Sequence, residues 1–184
     1  MTDYYNHVIN KSRQLKIPNR RIEDTGEKAY QRAFRYHKKP TRLILREGGK
    51  ELAIQWLDFE VPVMFSKNAR RPCLDLIGKI GEKYAIAELK DTRGNSPFFA
   101  IFEVLEYALS IKRLISNGEK PPYHGNFDYW TANDCSYLIV AAPQNYWEKW
   151  THLLDKFREV SRWIFDDKKY KVIFASFKDE NFKS

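Results

Sequence analysis

Three residues in one short stretch have the types and spacing for hydrolytic chemistry. Asp75 sits in the apolar run 74–77, and Glu88 and Lys90 end a second apolar run, 84–90, after a turn that holds Gly78 and Gly81. Strand side chains alternate faces, so Glu88 and Lys90 point one way and Leu89 the other. If the two runs pair antiparallel, Asp75 comes beside Glu88, and two carboxylates and an ammonium share one side of an apolar ribbon. Charges buried in apolar strands are costly unless they are paired or bind a metal. Two neighbouring carboxylates also repel each other. A hard divalent cation such as Mg²⁺ answers both problems because it takes oxygen ligands, and the lysine beside it can orient or help deprotonate an attacking water. The plain alternative is a solvated strand end on which Glu88 and Lys90 form a surface ion pair.

The flanking sequence supplies elements that can position these residues. Asp24 or Thr25 caps a helix in which Ala29, Tyr30, Ala33, Phe34 and His37 recur at helical spacing until Pro40. Residues 41–47 alternate apolar and polar, Gly48-Gly49 turns, and residues 51–57 resume, which predicts a β-hairpin, with a short helix over 50–57 as the weaker option. Residues 59–65 form a further strand or continue the same one, with Pro62 at an edge or bulge. Lys67, Arg70 and Arg71 make the next connection basic and lead into the Asp75 strand, where they can grip a phosphate backbone. After Lys90 comes a loop over 91–95, and then Ser96 caps and Pro97 opens a long helix to about Asn117. Residues 118–134 are a long connection rich in aromatics, read as a loop pinned by a satellite hydrophobic cluster, with base stacking as its functional alternative. A buried strand over 135–142, an amphipathic helix over 145–165 and a last strand over 170–177 complete the chain.

Asp75 followed after twelve residues by Glu88-Leu89-Lys90 resembles the core motif of the PD-(D/E)XK nuclease superfamily, with Leu74 where a proline commonly precedes the acid. The order helix, three or more strands, helix, strand, helix, strand is similar to that fold over roughly residues 24–177. The resemblance implies an α/β fold: a mixed β-sheet flanked by helices, with an αβββαβ core and an added C-terminal αβ unit. It implies that Asp75 and Glu88 bind Mg²⁺, with Mn²⁺ as substitute, that Leu89 lends its backbone carbonyl, and that Lys90 assists the attacking water. In parts of the superfamily, resolvase-like members included, a helix glutamate reaches the metal, which makes Glu27 a candidate third acid. Its other reading is a first-turn glutamate favouring the helix dipole. Glu60, in apolar company, is the rival for the third acid. Glu103 and Tyr107 resemble the Gln-x-x-x-Tyr of the following helix, with Glu in place of Gln; otherwise they are a helix surface pair.

Composition sets the bounds. The chain has 184 residues, 43% of them hydrophobic and 15% aromatic, enough for one soluble domain with a substantial core. We expect an N-terminal basic segment over 1–23 and a single nuclease-like domain over 24–184. Lysine and arginine number 32 against 24 acids, an excess of 8, which favours a polyanionic partner, nucleic acid (DNA first) ahead of an anionic membrane. Cys73 and Cys135 read as buried reduced thiols, and with His124 they lack zinc-type spacing. The absence of a signal-like or membrane-length apolar stretch makes the expected location cytoplasmic, with no membrane partner. Self-association stays open. The expected function is a metal-dependent endonuclease or exonuclease. The alternative is a catalytically inactive nucleic-acid-binding or complex-assembly module of the same fold.

Overall fold

Six strands and four α-helices make up the computed structural model, which describes residues 27–36, 40–62, 73–118, 135–164 and 170–178. The expected basic segment 1–23, the helix caps Asp24 and Thr25, the basic connection Lys67, Arg70 and Arg71, and the aromatic connection with His124 lie outside the described residues. Helix α1 (Glu27–Tyr36) starts with an acid in its first turn and ends with Arg35 in its last, as the helix dipole favours. Strands β1 (Thr41–Leu45) and β2 (Glu51–Pro62) form the expected hairpin. Its turn needs left-handed backbone at Gly48 (φ 72) and Gly49 (φ 62), which glycine adopts without steric cost. The run after residue 57 continues β2 as one strand.

Strands β3 (Cys73–Ile80) and β4 (Lys83–Leu89) are the second antiparallel pair. Helix α2 (Pro97–Ser116) then crosses to β5 (Cys135–Pro143), which lies parallel to β4. The chain continues through α3 (Gln144–Glu148), a 3₁₀ turn (Thr151–Leu153) and α4 (Leu154–Ile164) to β6 (Lys171–Phe177), parallel to β5. The helix expected over 145–165 is therefore broken. The Trp147 indole N–H donates to Ala175 O (2.9 Å), tying α3 to β6, and the Thr151 hydroxyl donates to the Trp147 carbonyl (3.0 Å). Trp150, at φ −113 and ψ 3, leaves the helical region between them.

The mixed α/β character and the order of elements agree with the sequence, but the sheet is not an open one flanked by helices. It closes into a barrel in the order β1-β2-β3-β4-β5-β6, because β1 also pairs antiparallel with β6 through Ile44↔Ser176 and Leu45↔Ala175. The Arg46 N–H adds a bond to Phe174 O at 2.8 Å. Closure gives the two edge strands partners for backbone groups that would otherwise be left open. It is sterically permitted because Ala85, Ala87, Ala141 and Ala175 line one face of neighbouring strands. That face also carries Phe34 of α1, packed edge-on against Trp56 and Phe177 at ring-centroid distances of 5.7 and 5.0 Å. Gly78 is needed there, since a Cβ on it would stand 2.8 Å from the Trp56 ring. The opposite face is covered by α2, α3 and α4, whose Ile101, Val104, Trp147 and Phe157 pack with Leu74, Ile86 and Val140. The face under α1 is here termed inner and the face under α2, α3 and α4 outer. Cys73 is half-buried, not buried as expected. Among the described residues no helix is long and apolar enough to cross a membrane.

Candidate functional site

The β3–β4 ladder runs from Ile80↔Lys83 to Leu76↔Ala87, and the next step places Asp75 level with Glu88. There a side chain replaces the ladder: the Leu89 N–H donates to Asp75 Oδ2 at 2.7 Å. From α1, Gln31 Nε2 donates to Asp75 Oδ1 at 2.6 Å. Both carboxylate oxygens are thus fixed, and each keeps a further lone pair.

A backbone irregularity aims Asp75 into this position. On a regular strand, residues two apart share a face. Here Leu76 and Phe59 pack with the inner cluster, whereas Leu74 and Val61 pack with the outer one. The alternation therefore breaks at Asp75 and at Glu60, which lies across from it between the pairs Phe59↔Leu76 and Val61↔Leu74. Glu60 takes φ 49, a left-handed conformation unusual for a residue other than glycine. Such irregularities re-aim side chains next to functional sites. Glu60 contributes through its backbone, while its carboxylate lies 3.5 Å from Lys28 in an exposed ion pair.

On β4 the expected alternation holds. Leu89 joins the inner cluster, and Glu88 and Lys90 are both buried at 5% and 4% exposure. Lys90 Nζ donates to Glu88 Oε1 at 2.8 Å and stands 2.9 Å from Glu103 Oε2. The first is an aligned hydrogen bond. The second is a charge contact without that alignment. Glu88 Oε2 is buried and has no donor among the described residues. Behind Lys90 the loop is held firmly: its own N–H bonds Ala141 O (3.0 Å), and Tyr146 Oη donates to Asn95 O (2.6 Å). Gly94 lets the loop fold back, since a Cβ there would meet Lys90 Cβ and Asp91 O at 3.2 Å.

The charges in this cluster shift one another. Burial pushes the Asp75 carboxyl up to about 7, against the pull of the Leu89 N–H and Lys90. Burial, then the neighbouring Asp75 charge, pushes Glu88 up to about 9, against Lys90. Burial alone would lower the Lys90 ammonium, but Glu88, Glu103 and Glu27 outweigh it and raise the group further. Burial also raises Glu27, whose carboxylate takes the Asp91 N–H and feels Lys90. Tyr107 is raised by burial and then by Glu88, Glu103 and Asp75. At neutral pH the ammonium stays charged, and burial favours a proton on the carboxyl pair wherever no cation replaces it.

The structure therefore brings together Asp75, Glu88, Leu89 and Lys90, with Glu27, Glu103 and Tyr107 around them. It leaves the Glu60 side chain on the surface. Sequence reasoning missed Gln31, although its place four residues after Glu27 and three before Phe34 puts it on the same buried helix stripe. It also missed two exposed cations, Arg93 on the loop after Lys90, where its N–H bonds Asp91 Oδ1, and Lys149 at the end of α3, whose Nζ donates to Thr92 O of that loop. The site offers hard oxygen donors, one of them a buried carboxylate oxygen lacking any donor, and this suits a hard cation held by Asp75 and Glu88. Among the described residues no three His, Cys, Asp or Glu side chains come together as a metal-holding set. In comparison with known proteins, the chain matches no family model, no curated protein and no solved structure.

Proposed function

We propose that the chain is a metal-dependent nuclease. It hydrolyses phosphodiester bonds in nucleic acid, DNA favoured, in the cytoplasm, using Mg²⁺ or, as substitute, Mn²⁺. The observation that carries this reading is the buried Glu88 Oε2 without a donor among the described residues, set beside Asp75 where the ladder opens, with Lys90 just past the end of β4 and bonded to Glu88 Oε1. Asp75 and Glu88 would hold the ion, and its chemistry there is Lewis acidity toward a phosphoryl oxygen and toward water. Lys90 has donors only, so it positions the nucleophile and places positive charge where the transition state is anionic. Glu103 steadies the ammonium from α2. Lys28, Arg93 and Lys149 are exposed cations near the site, and with the excess of 8 basic residues they support a polyanionic substrate.

One observation favours a second reading. Lys90 stands between two carboxylates, Glu88 and Glu103, an arrangement that also serves a charge network in a binding or assembly module without turnover. The two readings separate in one assay: cleavage and binding of labelled duplex and single strand across a Mg²⁺ and Mn²⁺ titration, with wild type and Asp75→Ala. Metal-dependent product from wild type alone supports the nuclease. Salt-sensitive binding with no product from either protein supports the binding module and refutes catalysis.

A further inference from the structure

We propose that Gln31 is a ligand of the cation site, its carboxamide oxygen Oε1 supplying the third side-chain oxygen beside Asp75 and Glu88. The inference rests on the reading of Asp75 and Glu88 as metal ligands and extends it to a residue of a type not expected there.

Gln31 is 5% exposed, on the stripe of α1 that faces the sheet. Its Nε2 donates to Asp75 Oδ1 at 2.6 Å, while its Oε1 is buried with no donor. With a cation bound, Asp75 is ionised, and the amide then keeps Nε2 toward it, since turned over its carbonyl oxygen would face a carboxylate oxygen. Both heteroatoms sit on one carbon, so Oε1 stays close to Asp75. Gln31 Oε1, on the residue of α1 that bonds Asp75, and Glu88 Oε2, on the residue of β4 level with Asp75, are both buried acceptors with no donor among the described residues. A buried acceptor without a donor is unfavourable, and a cation bound by oxygens satisfies both at once. Amide carbonyls are ordinary ligands of hard cations.

A neutral ligand also suits the charge at this place. Glu88 and Glu103 already stand on either side of Lys90, with Asp75 level with Glu88 on the next strand. A third carboxylate at Gln31 would add repulsion, whereas a carboxamide adds an oxygen without charge. Glu27, one turn earlier, has other work: its carboxylate takes the backbone N–H of Asp91.

The test is Mn²⁺ binding by calorimetry on wild type, Gln31→Met, Gln31→Glu and Glu88→Gln, with thermal melts in chelator confirming the fold. Gln31→Met removes the oxygen at similar volume and weakens Mn²⁺ binding at least about tenfold. Gln31→Glu keeps a ligand oxygen and loses the N–H to Asp75, so it binds within about threefold of wild type or tighter. If Gln31 merely props Asp75, Gln31→Glu binds as weakly as Gln31→Met, because two carboxylates then face each other. That result, or a Gln31→Met affinity within about twofold of wild type, overturns the inference. Should Gln31→Met not fold, Gln31→Glu decides alone: retained affinity supports a ligand, and a loss of about tenfold or more refutes it. Failure of the underlying reading looks different. A wild type that binds no Mn²⁺, or a Glu88→Gln as tight as wild type, removes the metal site altogether and the inference with it.

Discussion

Replacing Glu88 by Gln should make the metal-free protein more stable, and increasingly so as pH rises. Burial holds the Glu88 carboxyl well above its ordinary 4.5, at about 9. The folded protein therefore keeps a proton that the unfolded chain releases above about pH 4.5, and by linkage stability falls as pH rises toward the folded value. One withheld ionisation amounts to about 1.4 kcal/mol per pH unit, or on the order of 4 kcal/mol from about pH 5 to about pH 8. Lys90, bonded to Glu88 Oε1, already holds the carboxyl down to that value, and in the variant it is left with a neutral partner there, which takes back part of the gain. Glutamine cannot ionise and keeps a similar shape, so the variant should gain about 2 kcal/mol over wild type at about pH 8 and little at about pH 5. The assay is urea unfolding in chelator at several pH values. Mg²⁺ at about a hundredfold excess over Kd should then stabilise the wild type by about 2.7 kcal/mol and the variant by much less. A difference between the two proteins that stays flat across pH, within about 0.5 kcal/mol, would refute the reasoning, because Glu88 would then be ionised throughout and adequately paired.

Further expectations concern Lys90, the substrate and the backbone at Glu60. Lys90→Ala should keep Mn²⁺ binding and nucleic-acid binding but lose turnover by on the order of a hundredfold or more in single-turnover cleavage; a loss within about threefold would reduce Lys90 to an ion-pair partner. Nucleic-acid binding should weaken steeply as salt rises and show little sequence preference, since phosphate contacts release counterions; a flat salt titration by fluorescence anisotropy would contradict it. At Glu60, with φ 49, Glu60→Gly should be more stable than Glu60→Ala by about 1 kcal/mol in urea melts, the reverse of the order at a regular strand position. The opposite ranking would mean that no left-handed residue aims Asp75.

The geometry of the β3–β4 pair was legible because strand alternation is a local rule. Glu88 and Lys90 had to share a face with Leu89 opposite, and a short turn with Gly81 (φ 59) had to bring Asp75 alongside. The helices at 27–36 and 97–116 followed from caps, Pro97 and apolar spacing. Barrel closure was not legible in the same way. It depends on Ile44 meeting Ser176, 132 residues apart, and on how far the sheet curls. The available signal was the row of small residues, Ala85, Ala87, Ala141 and Ala175, whose meaning appears only once the strands are side by side. The break in the helix over 145–165 depends on Trp147 reaching the Ala175 carbonyl, again a distant partner. Gln31 was overlooked because a buried glutamine on an amphipathic helix has no meaning until its partner, Asp75, is known. Glu60 was read as a side chain, whereas its contribution is a backbone angle that no residue type announces.

The most direct test of the metal-dependent site is a crystal structure of the protein with Mn²⁺, using anomalous scattering to locate the ion. The account predicts a strong peak bonded to Asp75 and to Glu88 Oε2, with Lys90 beside it but not ligating, and loss of that peak in Glu88→Gln. A structure at saturating Mn²⁺ with no peak between Asp75 and Glu88, or with ions only at surface carboxylates such as Asp155, would contradict it.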